Sequence, residues 1–307
     1  MKIAVVGAGA MGSLFGGLLA EAGHEVWLCD IREDHIQVVI KNGLMIEYET
    51  KTRQVRLNAA TDPKIIGESE LVLVFVKSTQ TQSAAKTARQ LAGDYGIVLT
   101  LQNGMGNAET IAEQVMPGRI LVGTTAQGAT MLGAGKIRHA GIGPTIMGRW
   151  VGDEKESKIA RQTAAILTQA GIETTAVEEV RAVIWDKLLV NVGINAITAL
   201  SGITNGQILD LESTRELSHS AVQEAAAVAR AQGIEIRQDP MAHVFQVAVA
   251  TAPNRSSMGQ DVDHHRPTEI GSINGFIVSE ARRLGISTPV NQVLTALVET
   301  MEAHYLK

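Results

Sequence analysis

The stretch that most constrains the fold is KIAVVGAGAMG, residues 2–12. An uninterrupted apolar run, Ile3 to Val6, leads into Gly7-Ala8-Gly9-Ala10-Met11-Gly12, which has the spacing G-x-G-x-x-G. SLFGGLLAEAG (13–23) follows with helical periodicity. A short continuous apolar run suits a strand covered on both faces, as in parallel sheets. Each glycine then has its own physical reason. Gly7 permits the tight turn, Gly9 lets a pyrophosphate approach the backbone, and Gly12 lets helix and strand pack closely. The helix N-terminus turns its free amides toward the phosphates. By itself the pattern also describes a glycine turn with no ligand. The strand before it, the helix after it and an acid ending the second strand separate the two readings.

That acid is Asp30, the last residue of HEVWLCD (24–30), about 20 residues beyond the loop, where a ribose-binding carboxylate belongs. A carboxylate there accepts from the ribose 2′-hydroxyl and repels a 2′-phosphate, which favours NAD. Arg32 follows two residues later and could receive a 2′-phosphate, which would favour NADP. Both cofactors stay open.

Further along, apolar runs and helical patterns alternate: a short helix at 36–41, strands at 71–77, 96–104 and 119–130, a helix at 83–92, and strand-like IETTAVE at 172–178. This alternation predicts a parallel, doubly wound sheet. Lys77 and Gln80 follow one strand and Asn103 another, at the carboxyl ends where such sheets bind ligands. After residue 177 only helical patterns remain, at 180–200, 213–232, 240–249, 268–284 and 291–305, with Pro267, Thr268 and Glu269 read as the start of the fourth. The expectation is a Rossmann domain over 1–177 joined to an all-helical domain over 178–307, with a ligand cleft at the join.

Composition narrows the function. A net charge of −5 with both signs spread along the chain gives no electrostatic footprint for nucleic acid, and 3% aromatic residues leave little to stack bases on. The single cysteine, Cys29, excludes an intrachain disulfide and reads as a buried core residue. No signal peptide and no uninterrupted apolar run of membrane-spanning length is read, so the expected location is cytoplasmic. The last helices offer a face on which two copies could pair as a homodimer.

WDKLLVNVGIN (185–195) is the most informative segment of the second half. In a helix, Lys187, Asn191 and Asn195 fall at i, i+4 and i+8 and share one face. One reading is a snorkelling lysine with two amides bonded to nearby backbone. The other is a catalytic ammonium with two orienting amides. SSMGQDVDHHRPTEI (256–270) supplies further polar groups: Ser256, Ser257, Asp261, His264, His265 and Glu269. Adjacent histidines do not converge on a helix or strand, so no metal site is expected. Hydride transfer to a carbonyl unites these parts. The developing alkoxide needs a proton and a positive field, and a lysine supplies both.

The ordered set GAGAMG, VKSTQ, LQNGMGN, GTTAQGA, WDKLLVNVGINAITAL, TNGQI, SSMGQD and RPTEIGSINGF resembles the ketopantoate reductases (2-dehydropantoate 2-reductases) over nearly the whole chain. The resemblance implies reduction of a 2-oxo acid to a D-2-hydroxy acid, ketopantoate to pantoate in pantothenate biosynthesis. It implies Lys187 as the catalytic acid, with Asn191, Asn195, Asn205 and Ser257 lining the substrate site. It places Asn103 near the nicotinamide, Lys77 and Ala129 on the cofactor, and Glu269 at the nicotinamide ribose. The family usually carries a basic residue near the end of the second strand and uses NADPH, whereas Asp30 comes first here. NAD-linked members similar to D-mandelate dehydrogenase form the alternative. A non-enzymatic nucleotide sensor is the remote one, and would have lost the acid and the amides that this chain keeps.

Overall fold

The computed structural model describes residues 1–151, 158–236 and 238–306. Its strands are β1 (Lys2–Val6), β2 (Glu25–Cys29), β3 (Leu44–Glu47), β4 (Thr52–Val55), β5 (Asn58–Ala60), β6 (Leu71–Val74), β7 (Ile97–Thr100), β8 (Ile120–Thr125), β9 (Gly128–Gly133), β10 (Lys136–Gly141), β11 (Thr145–Arg149) and β12 (Thr174–Ala176). The first six helices interleave with them: α1 (Ala10–Glu21), α2 (Glu33–Asn42), α3 (Pro63–Ile66), α4 (Thr81–Ala92), α5 (Asn107–Ala112) and α6 (Lys158–Gln169). The last six are α7 (Val180–Ser201), α8 (Glu212–Ala231), α9 (Pro240–Ala250), α10 (Ser257–Asp263), α11 (Asn274–Leu284) and α12 (Pro289–Tyr305). Two compact units result: residues 1–102 with 107–180, and residues 103–106 with 181–307.

In the first unit an eight-stranded sheet runs β12-β11-β8-β7-β6-β1-β2-β5. The strand order reverses between β1 and β6, and open α/β sheets bind ligands outside the carboxyl ends of strands at such a reversal. The glycine loop follows β1 there and Lys77 follows β6. The sheet is not wholly parallel, because β11 pairs antiparallel with β8. The expected strand over 119–130 also divides. The Gln127 side chain donates to the Gly143 carbonyl, and its amide bonds the Thr125 hydroxyl. The chain thereby leaves β8 and starts β9 in a second, four-stranded sheet of order β4-β3-β10-β9.

The second unit is helical. α7 is its central helix, and Trp185, Val192 and Ala196 are fully buried. A Cβ on Gly193 would stand 2.8 Å from Val222 of α8 and 2.9 Å from Val244 of α9, so the glycine lets three helices close together. By length and mean hydropathy α7 could cross a membrane, but Asp186, Lys187, Asn191 and Asn195 interrupt its apolar run and 61% of its most apolar window is buried within the fold, as in a core helix. The helix expected over 268–284 is shorter. Residues 270–272 form a 3₁₀ turn capped by Glu269 and α11 starts only at Asn274, so Pro267 and Glu269 do not open the expected α-helix. The Thr268 amide bonds Glu302 of α12, which pins this corner in a non-helical course.

Candidate active site

The glycine loop has the shape its sequence requires. Gly7 sits at φ +93°, and a Cβ there would lie 2.8 Å from Val76, in the segment after β6. A Cβ on Gly12 would lie 2.0 Å from the Gly7 carbonyl oxygen. Around Gly9 the space is open, with nothing within 4 Å of an added Cβ. Gly9 caps α1 without a side-chain hydrogen bond, and the first turn, Ala10 to Met11 and Gly12, holds no acidic residue. Open space before an uncapped helix N-terminus is what a pyrophosphate needs.

Asp30 and Arg32 act as a pair beside this loop. The Arg32 amide donates to Asp30 Oδ1 at 2.9 Å, and the guanidinium Nε lies 3.5 Å from the same oxygen. Arg32 Nη2 then donates to the Ala8 carbonyl at 3.0 Å. Asp30 is nearly covered and Arg32 half exposed, so both side chains are held at the loop. Lys77 is half-buried and its carbonyl starts the turn Ser78–Gln80, whereas Gln80 is exposed. Ala129 lies in β9 opposite His139.

In the second unit α7 places Lys187, Asn191 and Asn195 on one face, as their spacing predicts. Lys187 and Asn191 are half-buried and Asn195 is buried. Burial pushes the Lys187 ammonium down to about 8, and the charge of Glu269 partly opposes that fall. Glu269 is itself buried, and Asn103 Nδ2 donates to its Oε2 at 3.4 Å. Asn103 reaches it because residues 103–106 dock on the 270–272 turn. The Met105 amide bonds the Ser272 carbonyl, and Gly104 at φ +77° would meet Ser272 at 2.4 Å if it carried a Cβ. Gly104 of LQNGMG thus serves this docking.

Asn195 Nδ2 approaches Ser257 Oγ at 3.5 Å. One turn on, Thr198 donates to Ser256 Oγ at 2.7 Å, and Ser256 caps α10 by accepting from the Gly259 amide. Ser256 therefore holds Ser257 at the start of α10 opposite the stripe, a supporting role not assigned from sequence. Asn205 lies apart from these contacts. Its Nδ2 bonds Thr251 at 2.9 Å, while its buried Oδ1 has no hydrogen-bond partner. His264 and His265 diverge, His264 onto the Gln260 carbonyl and His265 against the Tyr305 ring.

Known proteins match this arrangement along its whole length. The sequence model for "Ketopantoate reductase PanE/ApbA" matches residues 3–152, and its C-terminal counterpart matches residues 179–302. The chain belongs to the ketopantoate reductase PanE/ApbA family. Among curated relatives, a 2-dehydropantoate 2-reductase of Halobacterium salinarum is 40% identical over 97% of this chain and 98% of that protein. Another from Pyrococcus horikoshii is 35% identical over 99% and 98%. Two solved structures cover the whole of both chains. One is a PanE/ApbA family ketopantoate reductase from Ralstonia eutropha (TM-score 0.92, 34% identity). The other is a D-mandelate dehydrogenase in ternary complex with NADH and anilino(oxo)acetate (TM-score 0.94, 28% identity). The family fold, a nucleotide-binding α/β unit followed by a helical one, is the fold described above.

Proposed function

We propose that this chain reduces ketopantoate to pantoate with a nicotinamide dinucleotide, and that Lys187 supplies the proton. The observation that carries the reading is Lys187 itself: an ammonium half-buried in a mostly apolar helix, with an amide at each of the next two turns and its pKa brought to about 8. The full-length similarity to proteins named 2-dehydropantoate 2-reductase supports the substrate.

When bound, the nicotinamide supplies a hydride to the carbonyl carbon. The Lys187 ammonium donates a hydrogen bond to the carbonyl oxygen and stabilises the negative charge that develops there. It passes its proton to that oxygen and is left as a neutral amine. A lysine with a pKa near 8 is still mostly charged at neutral pH and is a stronger acid than an ordinary one. Glu269 favours the charged form before the transfer. The Asn191 and Asn195 amides and the Ser257 hydroxyl orient the substrate's oxygens. The unpartnered Oδ1 of Asn205 is an acceptor suited to the substrate's alcohol.

For the cofactor we favour NADH. Asp30 holds a carboxylate at the second strand's end, and Arg32 spends its guanidinium on that carboxylate and on the Ala8 carbonyl. The same Asp30 favours a second reading, an NAD-linked D-2-hydroxy acid dehydrogenase of mandelate type. Steady-state rates with ketopantoate, phenylglyoxylate and 2-oxoisovalerate, each with NADH and NADPH, separate the two. The proposal expects the highest kcat/KM for ketopantoate. A preference for phenylglyoxylate would replace it with the second reading.

A further inference from the structure

We infer that His35 is a positioning residue for the dinucleotide's pyrophosphate, acting through Ser13 to fix the direction of the Ala8–Gly9 peptide. The inference rests on the dinucleotide reading above. His35 and Ser13 are both completely buried, a site where an imidazole and a hydroxyl must find partners. The Gly135 amide, in the turn between β9 and β10, donates to His35 Nδ1 at 3.0 Å. That nitrogen therefore carries no proton, and the neutral ring keeps its proton on Nε2. Nε2 lies 3.2 Å from Ser13 Oγ and donates to it. The Ser13 proton is then directed onto the Ala8 carbonyl at 3.0 Å, where Arg32 Nη2 also donates.

The chain of donors runs one way, from Gly135 to the glycine loop. Its end fixes the Ala8 carbonyl. The peptide bond is planar and trans, so the Gly9 N–H must point opposite to that carbonyl. Holding the carbonyl inward thus presents the Gly9 amide on the other side, at the residue with open space around it. The far end is fixed as well. Gly135 stands at φ +68°, and a Cβ there would be 2.3 Å from Val38 of α2, so turn and helix are in close contact.

A protonated ring would break the chain, because Nδ1–H would face the Gly135 N–H. Burial opposes that protonation most, Arg32 adds to the opposition, and Asp30 and Asp34 work against it. Lys136, beside Gly135, is paired with Glu47 at 3.1 Å. The imidazole thus stays neutral at neutral pH and charges only below its ordinary range.

The test is calorimetric binding of ADP-ribose, which carries the pyrophosphate and lacks the nicotinamide, by wild type, Ser13→Ala, His35→Leu and His35→Gln between pH 5 and 8. Adenosine, followed by ligand-observed NMR, is the phosphate-free control. Ser13→Ala and His35→Leu should weaken ADP-ribose by roughly tenfold, the scale of one buried hydrogen bond, and leave adenosine unaffected. His35→Gln, whose amide can still donate to Ser13, should recover most of the loss. Wild-type affinity for ADP-ribose should fall on acidification below about pH 6.5, the ordinary histidine value, and this fall should be absent in His35→Gln. If His35→Leu does not fold, Ser13→Ala carries the comparison. Equal losses for adenosine and ADP-ribose, or wild-type affinity in folded variants at every pH, would overturn the inference. Failure of the wild type itself to bind ADP-ribose would overturn the dinucleotide reading instead.

Discussion

Replacing Gly9 and Gly12 separately by alanine should split binding from folding. An added Cβ at Gly9 meets nothing within 4 Å, and its φ of −64° suits any residue. Alanine there loses some N-cap preference, about 0.5–1 kcal/mol, and gains a similar amount from a less flexible unfolded chain, about 0.4–1 kcal/mol. Stability should therefore change by less than about 1 kcal/mol, which for a domain of this size is a Tm shift of roughly 2–4 °C at most. The new methyl group occupies the space proposed for the pyrophosphate, so dinucleotide binding should weaken by tenfold or more, the cost of about 1.4 kcal/mol in lost contact. At Gly12 the Cβ would sit 2.0 Å from the Gly7 carbonyl oxygen, which is backbone on both sides. Relief requires α1 to move off β1, an overpacking cost of about 3 kcal/mol or more. Gly12→Ala should melt well below wild type. Tm comes from calorimetric scans and affinity from quenching of tryptophan fluorescence by NADH. If Gly9→Ala binds NADH as wild type does, the loop does not cradle the pyrophosphate and the reasoning fails.

Three other perturbations bear on the site. Asp30→Ala should move the ratio of kcat/KM for NADH over NADPH toward NADPH, since the repelling carboxylate is lost while Arg32 remains. A wild type that already prefers NADPH severalfold would assign the ribose to Arg32. Asn191→Ala and Asn195→Ala should raise the substrate KM about tenfold, the scale of a lost oriented hydrogen bond, with Tm nearly kept. A large drop in Tm at unchanged specific activity would make the amides structural. Glu269→Gln removes the charge that holds the Lys187 pKa up, so the basic limb of the pH–rate profile should move to lower pH. An unmoved limb would exclude the coupling.

Local pattern explains what could be read from sequence. The β1–loop–α1 unit was legible because the glycine spacing, the apolar strand before it and the helix after it all fall within one short stretch of sequence. The stripe of α7 was legible because helical spacing alone aligns Lys187, Asn191 and Asn195. The four-stranded sheet was not, because β8 and β9 read as one apolar stretch and the break rests on Gln127 bonding Gly143, across 16 positions. The turn at 268–272 reads locally as a helix start, but Glu302, 34 positions away, holds the Thr268 amide, and Glu269 turns inward to Asn103. Nor could His35 be found. Its partner Gly135 lies 100 positions on, and no short motif joins them.

The proton donor is tested most directly by the pH dependence of ketopantoate reduction in wild type and Lys187→Ala. The wild type should hold a plateau of kcat/KM at lower pH and lose activity as the pH rises through about 8, because the ammonium that gives the proton is then deprotonated. Lys187→Ala should lower turnover by roughly 10² or more, the scale of a general acid, lose the inflection near 8, and keep dinucleotide binding. Near-wild-type turnover of Lys187→Ala at saturating substrate, with the inflection still in place, would contradict the assignment.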